Sequence, residues 1–168
     1  MNQNVLEDIF QRNVSLLDAC GVDYQQWKHE PILDFATDEQ VGKRLGWTAT
    51  PTKSLFLSFK SGEHALLLTH KNARLDSKKV KATIGKRPSI ASDDEMIRVL
   101  GCVPGAVCPF GVPASVPVLV DEALFGFESL MYTPGHPDVT FAFAAKDLPV
   151  LLSALTNPIH ILGESITQ

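Results

Sequence analysis

The 168 residues are 45% hydrophobic and 20% charged, a balance that suits one folded domain with a substantial core. No apolar run reaches the ~18 residues of a membrane span, no basic segment precedes an apolar stretch near the first residue, and three cysteines without a framework spacing fit a reducing compartment. A cytoplasmic protein without membrane contact is therefore expected.

The net charge of −4 disfavours generic nucleic-acid binding, but it is unevenly spread. Residues 43–98 hold twelve Lys/Arg and five Asp/Glu, whereas the remainder holds three and fourteen. The basic half reads either as ordinary solvated lysines or as a face for RNA phosphates.

In chain order, residues 3–20 predict an amphipathic helix, with Leu6, Ile9, Phe10, Leu16 and Leu17 on its apolar side and Gly21 as its stop. Tyr24 to Leu33 reads as extended. Thr37-Asp38-Glu39-Gln40 is a capping box opening a short helix that ends at Gly46. Lys53–Phe59 and Ala65–Thr69 predict two strands turned at Ser61-Gly62. Asp76 or Ser77 caps a basic helix ending at Gly85, and Ile90-Ala91 is a short extended piece. Ser92-Asp93-Asp94-Glu95 opens a further helix that stops at Gly101. Val116–Val120, Ser129–Tyr132 and Val139–Ala144 are strand candidates, and Asp147–Leu155 predicts a last helix. The segment from Asn157 carries little local signal. Helices and strands interleave without a regular βαβ rhythm, which predicts an α+β fold: a mixed sheet with packed helices in a single domain.

The run Gly101-Cys102-Val103-Pro104-Gly105-Ala106-Val107-Cys108-Pro109-Phe110-Gly111 is the least ordinary part of the chain. Its glycines and prolines exclude a regular helix or a central strand. Its Val103, Val107 and Phe110 are out of place in a solvent loop. It reads either as a rigid turn or as a partly buried loop that brings backbone N–H groups close to a ligand.

This loop resembles the signature of the YbaK-like family of prolyl-tRNA editing domains, and four other segments agree in the family's order. They are His29-Glu30-Pro31, Thr52-Lys53-Ser54-Leu55-Phe56-Leu57, Arg74-Leu75-Asp76-Ser77-Lys78-Lys79-Val80, and Gly135-His136-Pro137-Asp138-Val139-Thr140 with Lys146-Asp147-Leu148. The resemblance spans about residues 24 to 156. It implies a curved, partly barrel-like mixed sheet with a lateral cleft. It also implies an N-terminal helical extension at 1–22, the editing domain at 23–156 and a C-terminal tail at 157–168.

On its own, Lys53 is either a snorkelling surface residue or a cation at the rim of a cleft. The resemblance implies that it holds the 3′-terminal nucleotide of a tRNA. It further implies that the backbone of Gly105 and Ala106 approaches the aminoacyl ester. Ser54, Val107, Cys108, Pro109, His136 and Asp138 would shape the substrate pocket. Ser54 stands where many relatives carry Asn. Lys71, Arg74, Lys78 and Lys79 are the expected contacts to tRNA phosphates. Cys108 and Cys102 read as small packing residues rather than nucleophiles.

No H-x-x-x-H or C-x-x-C spacing, dinucleotide-binding glycine motif, P-loop or G-x-S-x-G elbow occurs, so neither a metal nor a cofactor is expected. The expected activity is hydrolysis of a mischarged amino acid from tRNA, with tRNA(Pro) implied by the resemblance. The expected partners are mischarged tRNA and a prolyl-tRNA synthetase served in trans. Alanine, cysteine, serine and threonine all remain open as the amino acid removed. The alternatives are a binding module for tRNA or synthetase that has lost the chemistry, and a small-molecule thioesterase or amidase that leaves the basic half without a role.

Overall fold

A computed structural model describes residues 3–163 of the chain. Its elements are α1 (Gln3–Ala19), β1 (Tyr24–Lys28), α2 (Phe35–Leu45), β2 (Thr50–Ser58), β3 (His64–His70), α3 (Ser77–Ile84), β4 (Ser89–Ile90), α4 (Asp93–Leu100), β5 (Val118–Asp121), β6 (Ser129–Tyr132), β7 (Val139–Ala144), α5 (Leu148–Ala154) and β8 (Ile159–Leu162). Short 3-10 turns at Glu122–Gly126 and Ala145–Asp147 complete the path.

Local chemistry explains most of these boundaries. The carboxylate of Asp76 caps α3 and the hydroxyl of Ser92 caps α4, accepting from the backbone N–H groups of Lys79 and Glu95. Helix α2 begins earlier than its apparent capping box. Asp34 accepts from the Thr37 N–H at 2.8 Å, so Thr37 lies inside the first turn.

The eight strands form one mixed sheet in the order β1-β7-β6-β2-β3-β5-β8, with β4 joined to β2. The end strands β1 and β8 do not pair with each other, so the sheet is open. Two apolar clusters lie on its two sides. The larger contains Phe56, Leu66, Leu68, Phe110, Val118 and Phe141, and the smaller contains Leu57, Leu67, Val80 and Leu119. Alternation along β2 and β3 sends neighbouring residues to opposite clusters.

The first and last described elements, α1 and β8, both join this sheet and its core. Ile9 and Leu17 of α1 sit in the larger cluster, so this helix shares the core of the sheet. Val118 to Asp121 pair in parallel with Ile159 to Leu162, so the supposed tail from 157 supplies a sheet strand. Asn157, buried just before it, donates to the carbonyls of Pro113 and Val116. The remainder of that predicted tail, 164–168, lies outside the described residues.

Strand β2 positions the site. One edge pairs continuously with β3, from Thr52 opposite His70 to Ser58 opposite His64. The other edge is occupied only at its ends. Thr50 and Pro51 meet β6, and Leu57 and Ser58 meet β4. Between them the neighbouring strands part and expose the edge around Ser54.

Candidate functional site

A cleft of about 430 Å³ occupies this opening in the sheet. Its wall is β2 from Thr52 to Phe56, with the strand edge open around Ser54. Pro104 to Val107 lies across it, Met96 and Asp93 of α4 face it, and Leu33, Asp34 and Phe35 frame its mouth.

The edge of β2 offers unpaired backbone. The Lys71 N–H donates to Pro51 O on the β3 side, whereas Phe56 O accepts from the Ala91 N–H on the open side. In an antiparallel ladder these directions alternate. Ser54 therefore turns its own N–H and C=O toward the cleft.

Lys53 also lines the cleft and makes no ion pair with a described residue. Partial burial holds its ammonium below the ordinary lysine value. It is thus a cation without a counter-charge, held at the edge of an apolar surface.

The loop opposite is built on a tight turn. The Ala106 N–H donates to Val103 O at 2.8 Å, with Pro104 and Gly105 at the corners. Gly105 has φ +86°, the pattern of a type II turn. A Cβ on Gly105 would lie 2.3 Å from Leu33 O, so only glycine permits the loop to seat against the cleft mouth. Ala106 spends its N–H on the turn, which removes it from the expected amide donors. The N–H groups of Gly105 and Val107 donate to no described residue.

Helix α1 secures the downstream half of the loop. Asn13, fully buried, donates to Phe110 O at 3.1 Å, to the Cys108 sulfur at 3.3 Å and to Ile9 O at 2.9 Å. Tyr132 donates its hydroxyl to Asn13 Oδ1 at 2.8 Å. Burial pushes the Tyr132 phenol well up, which fixes it as a donor rather than a base.

The expected pocket residues therefore divide. Lys53, Ser54, Gly105, Ala106 and Val107 meet at the cleft. Cys108 does not: it is fully buried, and desolvation drives its thiol far upward, so it stays protonated. Pro109 is buried beside it and also lies off the cleft wall. His136 pairs with Glu7 of α1 at 2.8 Å and packs on Phe10, and Asp138 pairs with Lys28 at 3.5 Å. Neither lines the cleft, because the turn that carries them is packed onto α1 and the end of β1.

Among the expected phosphate contacts, Lys71 reaches the cleft and pairs with Asp38 at 3.3 Å. Arg74 and Lys78 are exposed and Lys79 is half-buried, all three without ion pairs to described residues.

Sequence reasoning missed the segment 32–38 and Met96. His29 explains how that segment arrives there. Its Nδ1 donates to Glu30 O at 2.7 Å, and Nε2 meets Thr140 Oγ1 at 2.8 Å. The His29 and Ile32 N–H groups donate to Asp138 O and Pro137 O, which leads the chain across the cleft. The apolar Ile32-Leu33 followed by Asp34 was the available signal.

No histidine or cysteine lines the cleft. The Thr52 hydroxyl is engaged with Met131 O at 2.8 Å. Neither of the other aliphatic hydroxyls of the lining, Ser54 and Thr133, is hydrogen-bonded to a lysine or carboxylate among the described residues, so no nucleophile is paired with a base there. Among the described residues, no group of three His, Cys, Asp or Glu could hold a metal.

Comparison with known proteins agrees with this architecture. The model of the aminoacyl-tRNA editing domain matches residues 33–151. The chain is similar to the prolyl-tRNA editing protein ProX of Acetoanaerobium sticklandii, with 28% identity over 89% of this chain and 94% of the relative. It is also similar to the multifunctional Ser/Thr-tRNA deacylase ProXp-y of Escherichia coli, with 29% identity over 82% and 84%. A solved structure of a candidate trans-editing enzyme for prolyl-tRNA synthetase shares the fold. Its TM-score is 0.71 at 23% identity, covering 94% of this chain and 98% of that one.

Proposed function

We propose that this chain, which belongs to the aminoacyl-tRNA editing domain family, is a deacylase that frees tRNA of a wrongly attached amino acid in trans, with tRNA(Pro) as its first substrate. One observation carries the reading. A partly desolvated lysine without an ion pair to a described residue, and a loop with two unused amides, line one cleft in which no hydroxyl is hydrogen-bonded to a base among the described residues. Such a site suits an ester that is already activated and needs positioning more than covalent catalysis.

In the proposed reaction, Lys53 holds the 3′-terminal nucleotide as a compact charge with rotatable donors. The ester carbonyl points to the N–H groups of Gly105 and Val107. Water adds to the carbonyl carbon as the substrate's own neighbouring ribose hydroxyl takes its proton and passes its own to the ester's ribose oxygen. The developing oxyanion is held by the amides. Collapse breaks the bond to the ribose oxygen, which leaves with the proton, so the free amino acid and the intact tRNA depart.

Phe56, Ala91, Met96 and Ala106 give the cleft an apolar lining that fits a small side chain. Arg74, Lys78 and Lys79 lie free for the phosphates of the acceptor stem. A prolyl-tRNA synthetase is the enzyme whose errors would be cleared, and the proposed setting is the cytoplasm.

The test is tRNA(Pro) charged separately with alanine, cysteine, serine and threonine. Release of one or more with multiple turnovers is the expected result. Binding of all four without release would overturn the deacylase reading in favour of a binding module.

A further inference from the structure

The mouth of the cleft is unusually apolar for a solvent boundary. Five large hydrophobic side chains are exposed among the described residues, and Leu33 (46%), Phe35 (57%) and Ile90 (61%) all border this one opening. Scattered exposed hydrophobics need no explanation, but a cluster at a cleft rim marks a surface that is covered in use.

Phe35 differs from the other aromatic rings of the cleft. Phe56 and Tyr132 are buried in its floor, so Phe35 alone offers a ring face at the mouth. Its position is preset, because the Asp34 cap fixes the first turn of α2, where Phe35 is the first residue. The backbone that carries the ring is thus ordered before any ligand arrives. Lys71 holds its Nζ 5.7 Å from the ring centroid and 3.3 Å from Asp38, so a cation stands against the aromatic surface.

An exposed ring with an adjacent cation at the entrance of an ester-binding cleft matches a ligand that has a flat π-face next to a phosphate. We infer that Phe35 is the stacking platform for the unpaired 3′-terminal base of the tRNA, with Lys71 shared between Asp38 and the neighbouring phosphate. The assignment rests on the deacylase reading for the direction in which the substrate enters. It adds a residue that reads the nucleotide rather than the amino acid. Stacking tolerates any base, so the platform contributes affinity and placement, and the amino-acid choice stays with the cleft floor.

The test uses uncharged tRNA(Pro) ending in 2-aminopurine, whose fluorescence falls when its base stacks. The full chain and Phe35→Tyr should quench it on binding. Phe35→Ala and Phe35→Leu should not, with unchanged thermal unfolding. On mischarged tRNA, Phe35→Ala should raise KM about five- to hundredfold and leave kcat within about twofold.

Equal quenching by Phe35→Ala would overturn the platform. Wild-type behaviour of Phe35→Leu would do the same, by reducing stacking to apolar contact. A sedimentation mass that doubles with concentration and loses this in Phe35→Ala would place a second copy of the chain on the patch, against the proposal. Because quenching needs no turnover, the two readings fail separately. Phe35-dependent quenching without any deacylation removes the function and keeps the platform, whereas deacylation indifferent to Phe35 does the reverse.

Discussion

Two proline–glycine turns in this protein look alike in sequence and have opposite placements. Val103-Pro104-Gly105-Ala106 and Pro134-Gly135-His136-Pro137 each hold a glycine at positive φ, +86° and +117°, with a neighbour in close contact. The first lies across the cleft, with the N–H groups of Gly105 and Val107 unused. The second packs onto α1, where a Cβ at Gly135 would lie 3.1 Å from both Ile9 Cγ2 and Leu6 O, and where His136 is paired to Glu7. Rigidity is common to both, so rigidity alone does not mark a functional loop. What separates them is the gap between β4 and β6: the first turn spans it, and the second does not.

The largest effect should come from the glycines. Gly105→Ala combines a forbidden φ with a clash against a backbone carbonyl that cannot swing aside. It should cost about 2 kcal/mol or more and abolish deacylation even in the fraction that remains folded. Gly135→Ala meets Ile9 Cγ2 and Leu6 O, both at 3.1 Å rather than 2.3 Å, and should cost about 1–2 kcal/mol while folded molecules keep their turnover. Thermal unfolding with activity per folded molecule separates the two. Equal loss of activity in both would erase the distinction between the turns.

Lys53 comes next. Lys53→Ala should lower kcat/KM by about 100-fold or more at unchanged stability, the scale of losing one charged transition-state contact. Its depressed lysine value has a sign that can be tested. The ammonium is present at neutral pH and is lost as pH rises, at a lower pH than for an exposed lysine. Activity corrected for spontaneous ester hydrolysis should therefore fall on the alkaline side. Lys53→Arg, which stays charged, should remove that limb even where its overall rate is lower.

Asn13 tests the support behind the first turn. Asn13→Ala leaves the Tyr132 hydroxyl without its acceptor in a buried site and should cost about 1–3 kcal/mol. Because Asn13 also holds Phe110 O, kcat should fall more than KM rises.

The smallest change belongs to the second turn. His136→Gln should leave kcat/KM within about twofold, since its ring faces Glu7 and Phe10. Glu7 is held below the ordinary carboxylate value first by Gln11 and then by His136. Its contribution is therefore present above the unfolded carboxylate pKa and is lost as pH falls through the folded one. The acid limb of unfolding should shift slightly upward in the variant. A large loss of turnover instead would return His136 to the pocket.

Local signals carried far into this structure. Caps at Asp76 and Ser92, stops at Gly46, Gly85 and Gly101, and the strands Ser129–Tyr132 and Val139–Ala144 were all legible, because each depends on chemistry within a few residues. Strand β8 was not. Its four residues alternate only weakly, and their strand character comes from pairing with Val118 to Asp121 about forty residues earlier.

The candidate site divides along the same line. Composition and spacing leave Lys53 open between a snorkelling residue and a cleft cation, and the Gly105 loop between a rigid turn and a ligand loop; the family resemblance is what singles them out. Only the tertiary structure decided which neighbours join them. It buried Cys108 against Asn13, turned His136 toward α1, and brought Leu33, Phe35 and Met96 to the cleft. The physical reason is that a site in an opened sheet is set by where two strands part, and strand separation is a property of long-range pairing that no window of sequence contains.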